Sequence, residues 1–290
     1  MSQEPNIGIF GGDQRQVYMV AAFLQKGYHV YTYRIAETIN HENCLRVSNL
    51  NELFNKCSFL IGPIPLTRDL VSVASTKASE LTITNLTRLL TKDHFLIGGM
   101  LPPALIGTCT EKGIPFYDLM KNEKITILNA IATAEGTIME AIQSSDQNLH
   151  GSHCLVLGYG RCAKILAGKL KGLDANVTVA ARSEEALAYA YAAGFQVISL
   201  SDIKNLLSSF DFIFNTIPSL VLDQGCLDLV SQNTSIIDIA SAPGGVDYEY
   251  AMQRKLKAKL CLGLPGKVAP KTSADILVNE IISLIKERSD

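Results

Sequence analysis

Leu155-Val156-Leu157-Gly158-Tyr159-Gly160-Arg161-Cys162-Ala163 decides the fold: it reads as a buried strand, a G-x-G-x-x-A turn and the start of a helix. In such a turn Gly158 permits the tight bend, Gly160 lets backbone approach a pyrophosphate, and the small Ala163 lets helix and strand pack closely. The first helical amides and the positive end of the helix dipole face the phosphates. A second strand at 177–180 follows at the expected distance, so residues 153–183 form a βαβ unit for a nicotinamide dinucleotide. Tyr159, Arg161 and Cys162 lie in the same turn and count with it as cofactor-binding candidates.

The second strand ends in Arg182-Ser183, where an NAD site carries an acid for the ribose 2′-hydroxyl. A guanidinium and a hydroxyl suit a 2′-phosphate, and no carboxylate repels it, so NADP is expected in preference to NAD. The same residues also suit a solvated cation and a helix cap. Asn215-Thr216-Ile217-Pro218 and the stretch Ala240-Ser241-Ala242-Pro243-Gly244-Gly245 close two later strands. Ligands of open α/β sheets bind at such carboxyl ends, which makes Thr216, Ile217, Pro218 and Ala240 cofactor candidates and Ser241 a substrate candidate. Simple strand-to-loop turns are the alternative.

Short apolar runs alternate with helical patterns along the whole chain, the signature of parallel α/β architecture. Five strands are expected in the first part, near 6–10, 29–33, 58–61, 94–97 and 114–117, with helices near 14–26, 83–90 and 105–112. A long helix at 127–143 ends in a polar stretch, Ser144-Ser145-Asp146-Gln147-Asn148, which places a domain boundary at 148/149. Strands near 154–157, 177–180, 196–198, 212–215, 236–239 and 260–262 follow, with helices at 183–193 and 201–207. The expected fold is two doubly wound parallel sheets: a flavodoxin-like substrate domain, 1–148, and a Rossmann dinucleotide domain, 149–290. An amphipathic last helix, 272–288, is expected to pack back on the first domain.

Composition narrows the function. The 290 residues are 47% hydrophobic and 19% charged, with a net charge of −2, which leaves no electrostatic footprint for nucleic acid or an acidic membrane surface. No uncharged apolar run reaches the roughly 18 residues of a membrane span. The start, MSQEPNIGIF, lacks the pattern of a signal peptide, so a cytoplasmic protein is expected. Seven widely spaced cysteines without a C-x-x-C argue for reduced thiols rather than disulfides or a zinc knuckle. His150-Gly151-Ser152-His153-Cys154 enters a strand and is not read as a metal site.

The first domain has its own glycine turn, Gly11-Gly12-Asp13-Gln14-Arg15-Gln16, after its first strand. A helix N-terminus beside Arg15 suits a carboxylate, so Gly11, Gly12 and Asp13 are substrate candidates, Gly99 after a later strand joins them, and Arg15 is a catalytic candidate that holds the carboxylate. The alternative has Asp13 capping the helix and Arg15 in solvent. Glu135 lies in a small and apolar stretch of the long helix, where a buried carboxyl with a raised pKa can handle a proton; a structural or exposed role is the alternative. Lys271, before the last helix, is either a catalytic cation or part of a helix start.

Taken together, the Gly-Gly-Asp-x-Arg-Gln turn, Glu135-Gly136-Thr137-Ile138-Met139, Ala181-Arg182-Ser183, Asn215-Thr216-Ile217-Pro218-Ser219, Pro243-Gly244-Gly245 and Gly263-Leu264-Pro265-Gly266 with Ala269-Pro270-Lys271-Thr272 resemble the A subunits of dipicolinate synthase from spore-forming bacteria. The last run also resembles the tail of alanine dehydrogenases. The resemblance implies an NADP-linked oxidoreductase that works with a flavoprotein-like B subunit to make dipicolinate from a dihydrodipicolinate, or its hydroxylated tetrahydro precursor, in the mother cell. Leu264 and Pro265 in the last run are further cofactor candidates, and a homo-oligomer is expected. Two other readings stay open. One is a stand-alone alanine- or 2-hydroxyacid-type dehydrogenase. The other is a non-catalytic NADP-binding subunit.

Overall fold

The computed structural model describes residues 5–75 and 81–289. It contains two compact units, Met1–Thr126 with Ala269–Asp290, and Ile127–Val268. Neither limit falls at the polar stretch after 143. The helix Glu123–Ser144 starts four residues before the sequence pattern suggests, and its Ala134 and Ala141 are buried in the core of the second unit. The polar stretch marks where that helix stops, not where packing changes hands.

The first unit holds six parallel strands: β1 (Ile7–Phe10), β2 (Val30–Tyr33), β3 (Cys44–Arg46), β4 (Phe59–Ile61), β5 (Phe95–Gly98) and β6 (Phe116–Asp118). Their order is β3-β2-β1-β4-β5-β6, with Ile7 in register with both Val30 and Phe59. Without the edge strand β3 this is the flavodoxin order. Side chains alternate between two cores: Ile7, Ile9, Phe59, Ile61, Phe95 and Ile97 on one face, Phe10, Leu60 and Leu96 on the other. Burial on both faces is why these strands read as unbroken apolar runs. Sequence patterning misses β3 and the helix Leu50–Lys56, both short; Leu45 and Arg46 of β3 are exposed.

The last helix, Pro270–Ser289, belongs to the first unit and packs on the helix Gln14–Gln25. Its Leu277, Val278, Ile281 and Ile285 enter the same core as Met19, Val20 and Phe23. Ile281 is fully buried, so Ile281→Ala should cost about 2–5 kcal/mol. The melting transition of the first unit should then fall by roughly 10 °C, measured by differential scanning calorimetry. An unchanged transition would mean this helix adds nothing to the fold.

The second unit repeats the plan with β7 (His153–Leu157), β8 (Asn176–Ala181), β9 (Gln196–Ser199), β10 (Phe212–Asn215), β11 (Ser235–Asp238) and β12 (Lys257–Leu260). All pair in parallel, in the order β12-β11-β10-β7-β8-β9, the Rossmann arrangement. The last strand sits earlier than 260–262, because Lys257 and Lys259 give an edge strand polar alternation instead of an apolar run. The expected helix at 201–207 is two 3₁₀ turns, Leu200–Asn205 and Leu207–Ser209. Ser199 takes the amide of Ser201 there, a local bond that competes with α-helical pairing. All seven cysteines are free thiols, and burial pushes Cys57 and Cys154 up to about 12.

Candidate functional sites of the two units

In both sheets the strand order reverses beside the first strand, and a ligand crevice opens at the carboxyl ends there. In the second unit that point lies between β7 and β10. Gly158 ends β7 at φ +95°, and a Cβ on it would stand 2.5 Å from the Thr216 hydroxyl oxygen. Gly160 caps the helix Arg161–Gly172 without any side-chain bond, and nothing lies within 4 Å of where its Cβ would stand. Ala163 is buried beneath it. An open backbone face over a helix start fits a pyrophosphate, so the residues present suit the dinucleotide that the motif implies.

The loops after β10 and β11 are tied together by Asp238, which is fully buried. Its carboxylate accepts from Asn215 Nδ2 (2.9 Å), the Ala240 amide (2.9 Å), the Gly245 amide (2.6 Å) and the Tyr248 hydroxyl (2.8 Å). Asn215 Oδ1 in turn accepts from the Ile217 amide at 3.0 Å. Burial and the hydrogen bond to Asp238 push the Tyr248 phenol above its ordinary range. This network shapes Thr216-Ile217-Pro218 and the loop that starts at Ala240. Asn215 was visible as the first residue of the stretch that ends at Pro218, but Asp238 was missed; its signal was a polar residue in register with Asn215 at the end of the neighbouring strand.

Beyond β8, a cavity of about 440 Å³ is lined by Arg182, Ser201, Lys204, Ser219 and Asp223, among others. Ser183 caps the helix Glu184–Ala192 by accepting from the Ala186 amide at 3.4 Å, so the helix-cap alternative holds for it. Leu264 departs from expectation: its side chain is buried in the core over Gly136 and does not face a ligand site.

In the first unit the reversal lies between β1 and β4. A cavity of about 590 Å³ opens there, lined by Gly12, Asp13, Ile64, Arg68, Asp69 and the segment from Ser72 to Ser75. The glycine turn contributes shape rather than amides. Gly11 N–H donates to the Tyr33 carbonyl (3.0 Å) and Gly12 N–H to the Ala74 carbonyl (2.7 Å). Asp13 and Gln16 close the helix start in a capping box, so the expected anion site on that helix is filled by the chain's own carboxylate. Arg15 is buried, not solvated. Its Nε and Nη2 donate to Asp13 at 2.9 and 2.8 Å, and Nη2 also donates to the Ile64 carbonyl. Burial alone would raise Asp13, but the bond to Arg15 and its charge outweigh that and hold the carboxyl below its ordinary value. The Ser72 and Val71 amides hold Asp69 down to about 2.

Three further candidates move. Glu135 is exposed and ion-paired with Lys169 at 2.9 Å; it faces out of the helix whose Ala134, Gly136 and Thr137 face in, so it is no buried proton carrier. Gly99 is packed under Ile64, where a Cβ would stand 2.6 Å from the Ile64 side chain, and supports the cavity wall from behind. Lys271 is exposed and pairs with Asp275 at 3.1 Å in the first turn of the last helix. Ser241 is exposed on the loop after β11. Arg68, which the sequence reading did not single out, lines the cavity; its signal was a position just past the carboxyl end of β4. Among the described residues no cluster of His, Cys, Asp and Glu could hold a metal ion.

Two doubly wound units, one of them with a G-x-G-x-x-A turn at its switch point, define an NAD(P)-dependent oxidoreductase of the two-domain class. Residues 6–120 match the family model of the N-terminal domain of the dipicolinate synthase A subunit, and residues 123–257 that of the D-isomer specific 2-hydroxyacid dehydrogenase NAD binding domain. The chain is 33% identical over 284 residues to the A subunit of dipicolinate synthase of Bacillus subtilis (strain 168), covering 97% of this chain and 96% of that one. The crystal structure of the dipicolinate synthase A subunit from Bacillus subtilis superposes with a TM-score of 0.87 at 30% identity, over 99% of each chain. That of the A subunit from Bacillus halodurans gives 0.89 at 31% identity, over 98% of this chain and 99% of that one. The chain belongs to the family of dipicolinate synthase A subunits.

Proposed function

We propose that this chain is the dinucleotide-dependent subunit of a dipicolinate synthase. It oxidises dihydrodipicolinate, or a hydroxylated tetrahydro precursor, with NADP in preference to NAD. It works with a flavoprotein-like second subunit in the cytoplasm of the mother cell of a sporulating bacterium. The observation that carries the reading is the pairing of two switch-point sites in one chain, one built for a dinucleotide and one a cavity with an arginine at its mouth.

Gly158 to Cys162, Arg182, Thr216 to Pro218 and Ala240 would hold the dinucleotide. When bound, it takes up the hydride that leaves the ring. Arg68 is exposed at the substrate cavity and offers its guanidinium to a ring carboxylate. Arg15 acts indirectly: by holding Asp13 and the Ile64 carbonyl it fixes two walls of the cavity. Asp13 and Asp69 are both held low and stay ionised near neutral pH, so neither carries the proton. That proton passes to water; a hydroxylated tetrahydro precursor first loses one water to give the dihydro ring, and the hydride and proton leave after that. Aromatisation favours the product, and orientation supplies much of the acceleration.

The test follows NADP reduction with dihydrodipicolinate, with and without the second subunit. Reduction that depends on this chain supports the reading; turnover of a simple keto acid by the chain alone would replace it with a stand-alone dehydrogenase. Tight NADP binding with no reduction in either arrangement would make the chain a non-catalytic subunit. Arg68→Ala removes one charge-assisted contact, worth about 1.5–3 kcal/mol, so KM for the dicarboxylate should rise roughly 10- to 100-fold while NADP affinity holds. An unchanged KM removes Arg68 from the substrate site.

A further inference from the structure

We propose that Lys204 is the second cation of the adenosine end of the dinucleotide site, and that it selects a 2′-phosphate both by binding it and by masking Asp223. The inference rests on the NADP reading above and deepens it.

In a βαβ dinucleotide unit the adenosine ribose lies beyond the end of the second strand, here β8, which Arg182 follows. The cavity at that end is lined by Arg182 from one side and by Lys204 from the 3₁₀ turn Leu200–Asn205 that follows β9. Lys204 reaches across to the wall that begins with Asp223. A Cβ on Gly225 would stand 3.3 Å from its Nζ, and Nζ lies 3.8 Å from Asp223 Oδ1. That ion pair is loose and half exposed on both sides, with side-chain exposures of 51% and 53%, so it holds Lys204 weakly.

Asp223 cannot leave. It caps the helix Gln224–Leu227 through the Cys226 amide at 2.8 Å. A carboxylate is therefore fixed at the rim of the cavity that would receive the phosphate. Two like charges at close range cost affinity, and a cation standing between them reverses the sign. A dianionic phosphate competes with one carboxylate for the same ammonium and has the larger charge. For NAD the balance differs: its 2′-hydroxyl can donate to Asp223, so nothing is lost when the cation is absent. Lys204 thus acts on the choice between the two nucleotides rather than on binding as a whole.

The experiment titrates NADP and NAD separately into the full-length wild type, Lys204→Ala, Asp223→Asn and the double variant, by calorimetry at two salt concentrations. Loss of one charge-assisted phosphate contact predicts a roughly 10- to 100-fold weaker Kd for NADP in Lys204→Ala, with NAD unchanged or tighter. The double variant should recover part of the NADP affinity, which a merely structural lysine would not do. Retained NAD binding certifies the fold. Equal weakening of both nucleotides, or no change for NADP, overturns the proposal. Wild type that prefers NADP beside an unaffected Lys204→Ala overturns the role of Lys204 alone. Wild type that binds both nucleotides alike overturns the NADP reading and this proposal with it.

Discussion

Asp238→Ala should lower the stability of the second unit by about 3–5 kcal/mol and weaken dinucleotide binding at the same time. The carboxylate is fully buried and receives two backbone amides, one side-chain amide and one phenol. Truncation leaves the Ala240 and Gly245 amides and the Tyr248 hydroxyl without an acceptor, and leaves Asn215 Nδ2 only the Ile217 carbonyl at 3.0 Å; each orphaned buried group carries a desolvation penalty. Water cannot easily refill the place, because Gly245 is already so close to Asn215 that a Cβ there would lie 2.4 Å from its amide nitrogen. The loops that start at Thr216 and Ala240 would lose their common anchor. Scanning calorimetry should show the transition roughly 10 °C lower, and a nucleotide titration should show weaker binding. Asp238→Asn, which keeps one acceptor oxygen, should fall between the two. A Tm within a degree of wild type would show that the network is ornamental.

Gly158→Ala should abolish useful dinucleotide binding, a loss of at least about 100-fold in Kd. Two costs add. The residue sits at φ +95°, where an L side chain is strained by about 1–3 kcal/mol. The new methyl would meet the Thr216 hydroxyl oxygen at 2.5 Å and the Ile217 side chain at 3.1 Å. Thr216 cannot swing aside freely, because its hydroxyl donates to the Leu157 carbonyl at 2.8 Å. Relief must come from displacing the loop after β10, on which the cofactor would rest. Gly160→Ala makes the contrast. Its Cβ would enter open space, so stability should hold while the methyl occupies the face the phosphates need. Thermal melts and NADP titrations of the pair separate the two effects. Equal affinity for Gly158→Ala and wild type would mean that the turn does not hold the nucleotide.

The substrate cavity shows where reading residues in order reaches its limit. The Gly11-Gly12 turn and Arg15 were visible as an arginine beside a helix start. Whether those amides were free depended on partners 22 and 62 positions away, Tyr33 and Ala74, and no local pattern encodes such pairings. Arg15 likewise looked like a ligand for substrate, yet its Nε and Nη2 are engaged by Asp13, two residues before it, and by the carbonyl of Ile64. Glu135 failed for a simpler reason. A helix turns 100° per residue, so an acid among small residues can face outward while its neighbours face in, and Lys169 meets it there.

Strand positions survived best where both faces are buried, because continuous apolar runs leave little choice of structure. At two edges they failed, β3 being missed and β12 displaced, because solvent takes one side there and polar residues enter the pattern.

The apolar face of the last helix called for a partner, but only the fold showed that the partner is the first unit; by itself, the sequence determined the doubly wound class, the dinucleotide turn at Gly158-Tyr159-Gly160, and the family. Each of these rests on local chemistry, such as strand periodicity and glycine at a positive φ. The tertiary structure alone decided which donors remain for a ligand. It closed the Gly11-Gly12 turn, turned Glu135 to solvent, made Asp238 the anchor of two loops, and brought Lys204 to the cavity that Arg182 borders. Hydrogen-bond capacity is finite, and only the folded chain shows how much of it the protein has already used on itself.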